Sequence, residues 1–139
     1  MNFKIYKTKY WEIELCSNQY YVGRCIITLK RACGDLAELK NEEFLDLLNI
    51  IKNLENTIRK MFKATMFNWS CLMNDDYKAE NPTPQVHFHV RPRYKSKVEI
   101  NGEIFEDKEF AHHYNNEGKR EVSQEILNEI IKRIKENLK

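Results

Sequence analysis

The amino-acid sequence predicts an α+β fold, in which an antiparallel sheet carries one long helix and one C-terminal helix. Short runs of alternating polar and apolar residues, typical of half-buried strands, occupy much of the first third of the chain. Two stretches with the three- and four-residue spacing of amphipathic helices follow, one from Asn41 and one after Ser123. Because strands joined by short turns favour antiparallel pairing, both helices are expected to pack on one sheet.

Several segments are predicted as strands on separate grounds. Residues 11–15 alternate Trp, Ile and Leu with glutamate, which is typical of a half-buried strand. Residues 25–29 are apolar and rich in β-branched side chains, which favours a more central strand. Residues 67–73 alternate again, and Asn101-Gly102 between two alternating runs predicts a two-residue hairpin.

The long helix is predicted to begin at Asn41, which would act as its N-cap and give about six turns. Glu42 and Glu43 suit the positive end of its dipole. Ser123 is expected to cap the last helix. The apolar stripe of that helix consists of Ile126, Leu127, Ile130, Ile131, Ile134 and Leu138.

Composition indicates one cytoplasmic domain over residues 1–139. The sequence has no apolar run near the ~20 residues that cross a bilayer, and residues 1–7 lack the apolar core of a signal peptide. Lys plus Arg number 23 and Asp plus Glu 21, so the net charge of +2 is too small to favour a nucleic-acid partner. The four cysteines match no zinc-ligand spacing and are expected to be small buried apolar residues.

One predicted strand contains most of the candidate functional residues. From Gln85 to Arg91 polar and apolar residues alternate, so Gln85, His87, His89 and Arg91 share one face and the apolar residues between them fill the other. Two imidazoles, a carboxamide and a guanidinium at this spacing favour an anion-binding surface. A half-exposed strand with two incidental histidines is the alternative.

This stretch resembles the signature of the histidine triad superfamily, which alternates three histidines with apolar residues. Gln85 occupies the first histidine position, His87 the second and His89 the third. The Val-Arg-Pro-Arg that ends at Arg93 resembles the continuation common in the fragile-histidine-triad branch. If the strand continues past Pro92, Arg93 is expected on the opposite face from the histidines.

Two further positions extend the resemblance. Residues 22–27 lie where the superfamily has a Pro-Gly-His turn before an apolar strand, and Asn74 aligns with a phosphate-contacting Asn or Gln. The resemblance covers roughly residues 11–93, with the hairpin and C-terminal helix added in residues 94–139. It implies a half-barrel sheet of the histidine triad type and a homodimer.

The resemblance also implies a reaction. The middle histidine of the superfamily attacks the α-phosphorus of a nucleotide and forms a nucleotidyl-histidine intermediate. His87 is then the nucleophile, His89 and Asn74 stabilise the phosphoryl oxygens, and Gln85 positions the leaving group. The expected substrate is a dinucleoside polyphosphate or an adenylylated compound. No metal is required for the covalent step, although a polyphosphate can arrive with Mg²⁺.

Departures from the family pattern leave a second hypothesis open. Gln85 has no titratable proton, and Arg24 stands where a supporting histidine is expected. Asn18 is the candidate for ribose binding, while Thr83 and Arg91 are candidates for binding the phosphates. The alternative to an enzyme is therefore a nucleotide-binding module with little or no turnover.

A second histidine pair, His112-His113, follows the predicted hairpin. These residues could cover the site, or bind a metal together with His87 and His89. Adjacent side chains diverge, and no carboxylate or cysteine stands at ligand spacing beside them, so loop histidines are the favoured interpretation. A metal-binding protein remains a third hypothesis.

Overall fold

A computed structural model describes residues 2–138 and contains, within that range, a sheet, a separate hairpin and two α-helices. The strands are β1 (Asn2–Lys7), β2 (Trp11–Cys16), β3 (Cys25–Leu29), β4 (Met66–Ser70), β5 (His87–Arg93), β6 (Val98–Ile100) and β7 (Glu103–Phe105). The helices are α1 (Asn41–Phe62) and α2 (Gln124–Asn137). Within residues 2–138, no helix combines the length and apolar character needed to cross a membrane.

The main sheet has the strand order β1-β2-β3-β5-β4, and every neighbouring pair is antiparallel. Strands β6 and β7 form the hairpin, with Asn101 and Gly102 at positive φ in its turn. The α+β class, the antiparallel sheet, the two helices and this hairpin are therefore confirmed. Strand β5, which carries the histidines, lies inside the sheet between β3 and β4.

The core lies between the sheet and the helices. The fully buried Trp11 donates its indole N–H to the Glu43 carbonyl of α1, at 2.9 Å. Val86 and Val90 are also fully buried, as expected for the apolar face of the histidine strand. Packing on this side of β5 directs its polar side chains to the opposite side, where the site forms.

One strand and two element boundaries differ from the prediction. Strand β1 is not among the predicted elements, although Phe3 and Ile5 alternate with polar residues as a strand requires. Strand β4 ends at Ser70 and does not continue to residue 73. Helix α1 has Lys40 as its N-cap, not Asn41, because the Glu43 carboxylate accepts the Lys40 N–H at 2.8 Å. Ser123 caps α2 as predicted.

A buried ion pair fixes the segment after the hairpin. Arg93 is fully buried and its guanidinium meets the Asp107 carboxylate at 2.7 and 3.0 Å. The same guanidinium donates to the carbonyls of Glu109 and His112 and to the side chain of Asn68. Asn68 pairs with Arg91 across the ladder, so Arg93 shares the face of Arg91. The prediction that it points to the opposite face is wrong, because alternation continues through Pro92.

Replacement of Asp107 by Asn should lower the free energy of unfolding by about 3–5 kcal/mol, because Arg93 would remain buried without its counter-charge. Urea titration measures the change. Glu129→Gln, which removes the partner of Arg133 in a partly exposed pair one helical turn apart, is the matched control and should cost less than about 1 kcal/mol. Equal losses in the two variants would contradict this role of Asp107.

Candidate functional site

A cavity of about 180 Å³ opens on the polar face of β5. His87, His89 and Arg91 line it from β5, and Arg24 lines it from the turn before β3. Asn74 and Asp75 contribute from the loop after β4, and Asn116 from the segment before α2. The structure thus brings together four of the predicted site residues: His87, His89, Asn74 and Arg91.

The His87 ring is held in a defined orientation. Its Nδ1 lies 2.8 Å from the carbonyl oxygen of Gln85, and a carbonyl can only accept, so the proton must be on Nδ1. In the neutral ring, Nε2 then carries a lone pair. His87 is partly exposed at the cavity. The arrangement is suited to nucleophilic attack by Nε2.

His89 lies beside His87, with ring centroids 5.2 Å apart and ring planes at 83°. Burial, together with the charges of Arg91, Arg24 and His87 and opposed by that of Asp75, lowers the pKa of His89 to about 4. The ring is therefore neutral at neutral pH and has one N–H to donate. Its buried Nδ1 has no partner among residues 2–138. His89 can donate to a phosphate oxygen without carrying a charge of its own.

Gln85 contributes to the site through its backbone. Its side-chain Nε2 donates to the carbonyls of Leu29 and Arg31, both at 2.7 Å, and its Oε1 accepts from the Cys33 N–H at 3.1 Å. These bonds direct the amide to the end of β3. The structure does not place the Gln85 side chain at a leaving group, which corrects the role expected of it. The Gln85 carbonyl instead orients His87.

Two expected substrate-binding residues lie outside the cavity. Asn18 donates to the Gly118 carbonyl at 2.9 Å and accepts the N–H groups of Tyr20 and Arg120, each at 3.0 Å. These bonds hold Asn18 in a contact between two loops. Thr83 is exposed on the approach to β5 and is not a wall of the cavity. Neither residue is positioned by the structure to contact a ligand beside His87.

The second histidine pair also lies outside the cavity. His112 and His113 are exposed, and His113 Nδ1 lies 2.7 Å from the Tyr114 carbonyl. In the described residues 2–138, no three His, Cys, Asp or Glu side chains are grouped to hold a metal ion.

Asp75 and Asn116 are not among the site residues predicted from the sequence, and Arg24 is noted there only as a replacement for an expected histidine. Arg24 could have been found from pairing, because it immediately precedes β3 and so faces β5. No local sequence pattern marks Asn116 as a site residue. It lies after the hairpin in the sequence, and only the folding of that segment back onto the sheet brings it to the cavity.

The depressed pKa of His89 predicts a pH-dependent stability. The group titrates at about 4 when folded against an ordinary value of 6.5, so the unfolded chain takes up the proton first as pH falls. The free energy of unfolding of the wild type should fall, relative to His89→Gln, between pH 6.5 and about 4 and then level off. Urea titrations of both proteins across this window measure the difference. Parallel curves would rule out a depressed pKa at His89.

The sequence is similar to a known protein family and to a curated protein. The HIT domain family model matches residues 2–96. A curated bis(5'-nucleosyl)-tetraphosphatase (asymmetrical) of Schizosaccharomyces pombe is 28% identical over 87 residues, which cover 63% of this chain and 47% of that protein. The chain thus spans about half the length of the curated relative it matches.

Solved structures share the fold. A histidine triad protein of Sinorhizobium meliloti superposes with a TM-score of 0.77 at 19% identity, over 99% of this chain and 90% of that one. One from Marinobacter aquaeolei gives a TM-score of 0.75 at 16% identity, over 99% and 88%. A diadenosine triphosphate hydrolase of Plasmodium falciparum gives 0.53 at 21% identity, over 70% and 65%. With the family model matching residues 2–96, the chain belongs to the HIT domain family.

Proposed function

We propose that the protein is a nucleotide phosphohydrolase or nucleotidyl transferase that acts at the α-phosphate of a dinucleoside polyphosphate or an adenylylated compound. The observation that carries this proposal is the hydrogen bond from His87 Nδ1 to the Gln85 carbonyl. It leaves Nε2 as the nucleophilic nitrogen of a ring that lines the cavity.

The proposed reaction has two steps. The His87 Nε2 lone pair attacks the α-phosphorus, a P–N bond forms, and the bond to the leaving group breaks with its electron pair on that group. Water or another hydroxyl acceptor then attacks the same phosphorus, a P–O bond forms as its proton passes to solvent, the P–N bond breaks with its electron pair on Nε2, and His87 recovers its neutral form. A proton on Nδ1, shared with the Gln85 carbonyl, stabilises the ring while Nε2 is bonded to phosphorus.

Charge that develops on the phosphoryl oxygens needs donors in the cavity. His89, which has one N–H in its neutral form, and Asn74, with its side-chain amide, line the cavity and can supply them. Asn74 is exposed at the rim, so it would be ordered by the bound phosphate. These groups all belong to the protein, so we propose that the covalent step requires no metal, while a polyphosphate substrate can carry Mg²⁺ with it.

The relatives support the choice of substrate. The curated relative is named for a nucleosyl tetraphosphate, and one structural neighbour for diadenosine triphosphate. We extend the proposal to a homodimer, because β4 is an open edge of the sheet and α1 exposes Phe44, Leu45 and Leu48. A cytoplasmic location is supported by the four free cysteines.

One observation favours the second candidate, a nucleotide-binding module with little turnover. The Gln85 side chain is bound to the backbone of the segment after β3, and it has no proton to give. A leaving group that needs protonation, such as an amine, would therefore depart slowly.

Trapping of the intermediate tests the proposed function. On incubation with dinucleoside polyphosphates and adenylylated compounds, followed by an acid-free quench, intact-mass analysis should detect a nucleotidyl adduct. The adduct should be absent from His87→Ala, which lacks the nucleophile, and present in His112→Ala, which removes an exposed histidine outside the cavity. Tight nucleotide binding without adduct or product on any substrate would favour the binding module.

Gln85→Ala should reduce kcat by the same factor for substrates with good and poor leaving groups, because the side chain supports the carbonyl that orients His87. It should also lower the free energy of unfolding by about 1–3 kcal/mol, since buried backbone groups near β3 lose their partners. Gln124→Ala, which removes an exposed glutamine of α2, is the control. A loss of kcat that grows with the pKa of the leaving group would instead assign the side chain to the leaving group.

A further inference from the structure

Two arginines line the cavity, Arg24 and Arg91, and neither forms a salt bridge with a carboxylate of residues 2–138. Cys25 pairs with Val90 in the antiparallel ladder between β3 and β5, so the next position outward sets Arg24 opposite Arg91. Like charges directly opposite in a sheet destabilise the folded protein. A ligand that binds both can offset this repulsion.

Arg91 is only 5% exposed, and its Nη1 has no partner among residues 2–138. Its guanidinium stacks on the Tyr114 ring, with Cζ 3.9 Å from the ring centroid. Stacking covers one face of the guanidinium and leaves its in-plane N–H groups free to donate. Burial lowers the pKa of Arg91, as does the charge of Arg24, but a guanidinium stays charged at neutral pH.

Arg24 is held in place by its backbone. Its N–H donates to the Tyr21 carbonyl at 3.0 Å, and its own carbonyl accepts from the Cys16 N–H and from the buried Gln19 side chain. The preceding residue, Gly23, adopts φ +86° and packs against Pro92 so closely that a Cβ would lie 3.3 Å from its ring. Within the described chain, the buried Nε of Arg24 also lacks a partner.

The carboxylates of the site do not neutralise this pair. In residues 2–138, neither Arg24 nor Arg91 is within 4.0 Å of a carboxylate oxygen. Asp75 lines the same cavity, but it is exposed and lies 3.1 Å from Lys78. Arg93, two residues after Arg91, is by contrast matched by Asp107. The cavity therefore has two cationic groups whose free N–H donors suit an anion.

We propose that Arg24 and Arg91 form a second phosphate subsite, which binds a phosphoryl group other than the one that His87 attacks. This inference rests on the proposed function in placing the attacked phosphate beside His87 in the same cavity. The same cavity of about 180 Å³ is lined by the histidines His87 and His89 and by the two arginines. Adjacent phosphates of one polyphosphate could therefore contact both groups. The substrate class is then a nucleoside or dinucleoside polyphosphate, in preference to an adenylylated amine.

Inorganic pyrophosphate is the probe for the subsite, with binding measured by calorimetry on full-length protein. Arg24→Gln and Arg91→Gln should each weaken binding by about tenfold or more, since each removes a charge-assisted contact. Lys97→Gln removes an exposed charge from the turn after β5 and should leave binding unchanged. The unfolding midpoint of Arg24→Gln should not fall, because the substitution removes a repulsion. Equal effects of Arg24→Gln and Lys97→Gln, or no effect of Arg24→Gln, would overturn the subsite.

A substrate series identifies the phosphate that the subsite binds. Arg24→Gln should reduce kcat/KM for a dinucleoside tetraphosphate by about tenfold or more but leave that for a nucleoside phosphoramidate nearly unchanged. If the variant instead weakens only the binding of a nucleoside 3′,5′-bisphosphate relative to the 5′-monophosphate, the assignment to the polyphosphate chain is overturned.

The subsite and the proposed reaction at His87 can be disproved independently of each other. Pyrophosphate binding to His87→Ala should remain sensitive to Arg24→Gln even if no adduct ever forms on the wild type. An adduct that forms normally in Arg24→Gln, with pyrophosphate binding unchanged, would contradict the subsite alone.

Discussion

The two faces of strand β5 are used for opposite purposes, and the rest of the site depends on this division. Val90 is fully buried on the face toward α1, and Val86 continues that face just before the strand. A strand alternates its side chains, so burial of this face leaves the other to His87, His89 and Arg91. Because β5 lies between β3 and β4, the turn before β3 and the loop after β4 supply walls of the cavity beside these polar groups. The cavity is thus a consequence of how the core is packed.

The two buried arginines on the polar face of β5, Arg93 and Arg91, differ in whether a carboxylate neutralises their charge. Arg93 is matched by the Asp107 carboxylate and by backbone carbonyls, so its charge is used within the fold and ties the segment after the hairpin to the sheet. Arg91 is stacked on Tyr114 but has no carboxylate beside it within residues 2–138. The first arginine stabilises the structure. The second keeps donors free at a cost to stability, which is common where a site must bind an anion.

The region around Gln85 shows how a departure from the family pattern can keep the geometry of the site. A histidine at this position would carry a titratable proton, whereas Gln85 uses its amide to hold the segment after β3. The Gln85 carbonyl still accepts from His87 Nδ1. The orientation of the His87 ring therefore does not require a third imidazole.

The sequence by itself determined the elements and the face on which the histidines lie. Strand alternation from Gln85 and the helical spacing after Asn41 and Ser123 are local patterns, because each follows from the geometry of a few consecutive residues. Resemblance to a known signature added the roles expected of His87 and His89. Only the N-terminal strand was missed among the sheet strands, and its short alternation at Phe3 and Ile5 was a local signal too.

Only the tertiary structure decided which polar groups meet. Gln85 could have faced a ligand or the backbone, and Asn18 could have faced a ribose or a neighbouring loop. In both cases hydrogen bonds to residues distant in the sequence determine where the side chain points. Strand pairing likewise brings Arg24 and Arg91, 67 positions apart in the sequence (91 − 24), to the same cavity. Alternation assigns a side chain to a face, but the partners that it meets there depend on strand order and loop packing, which no short segment encodes.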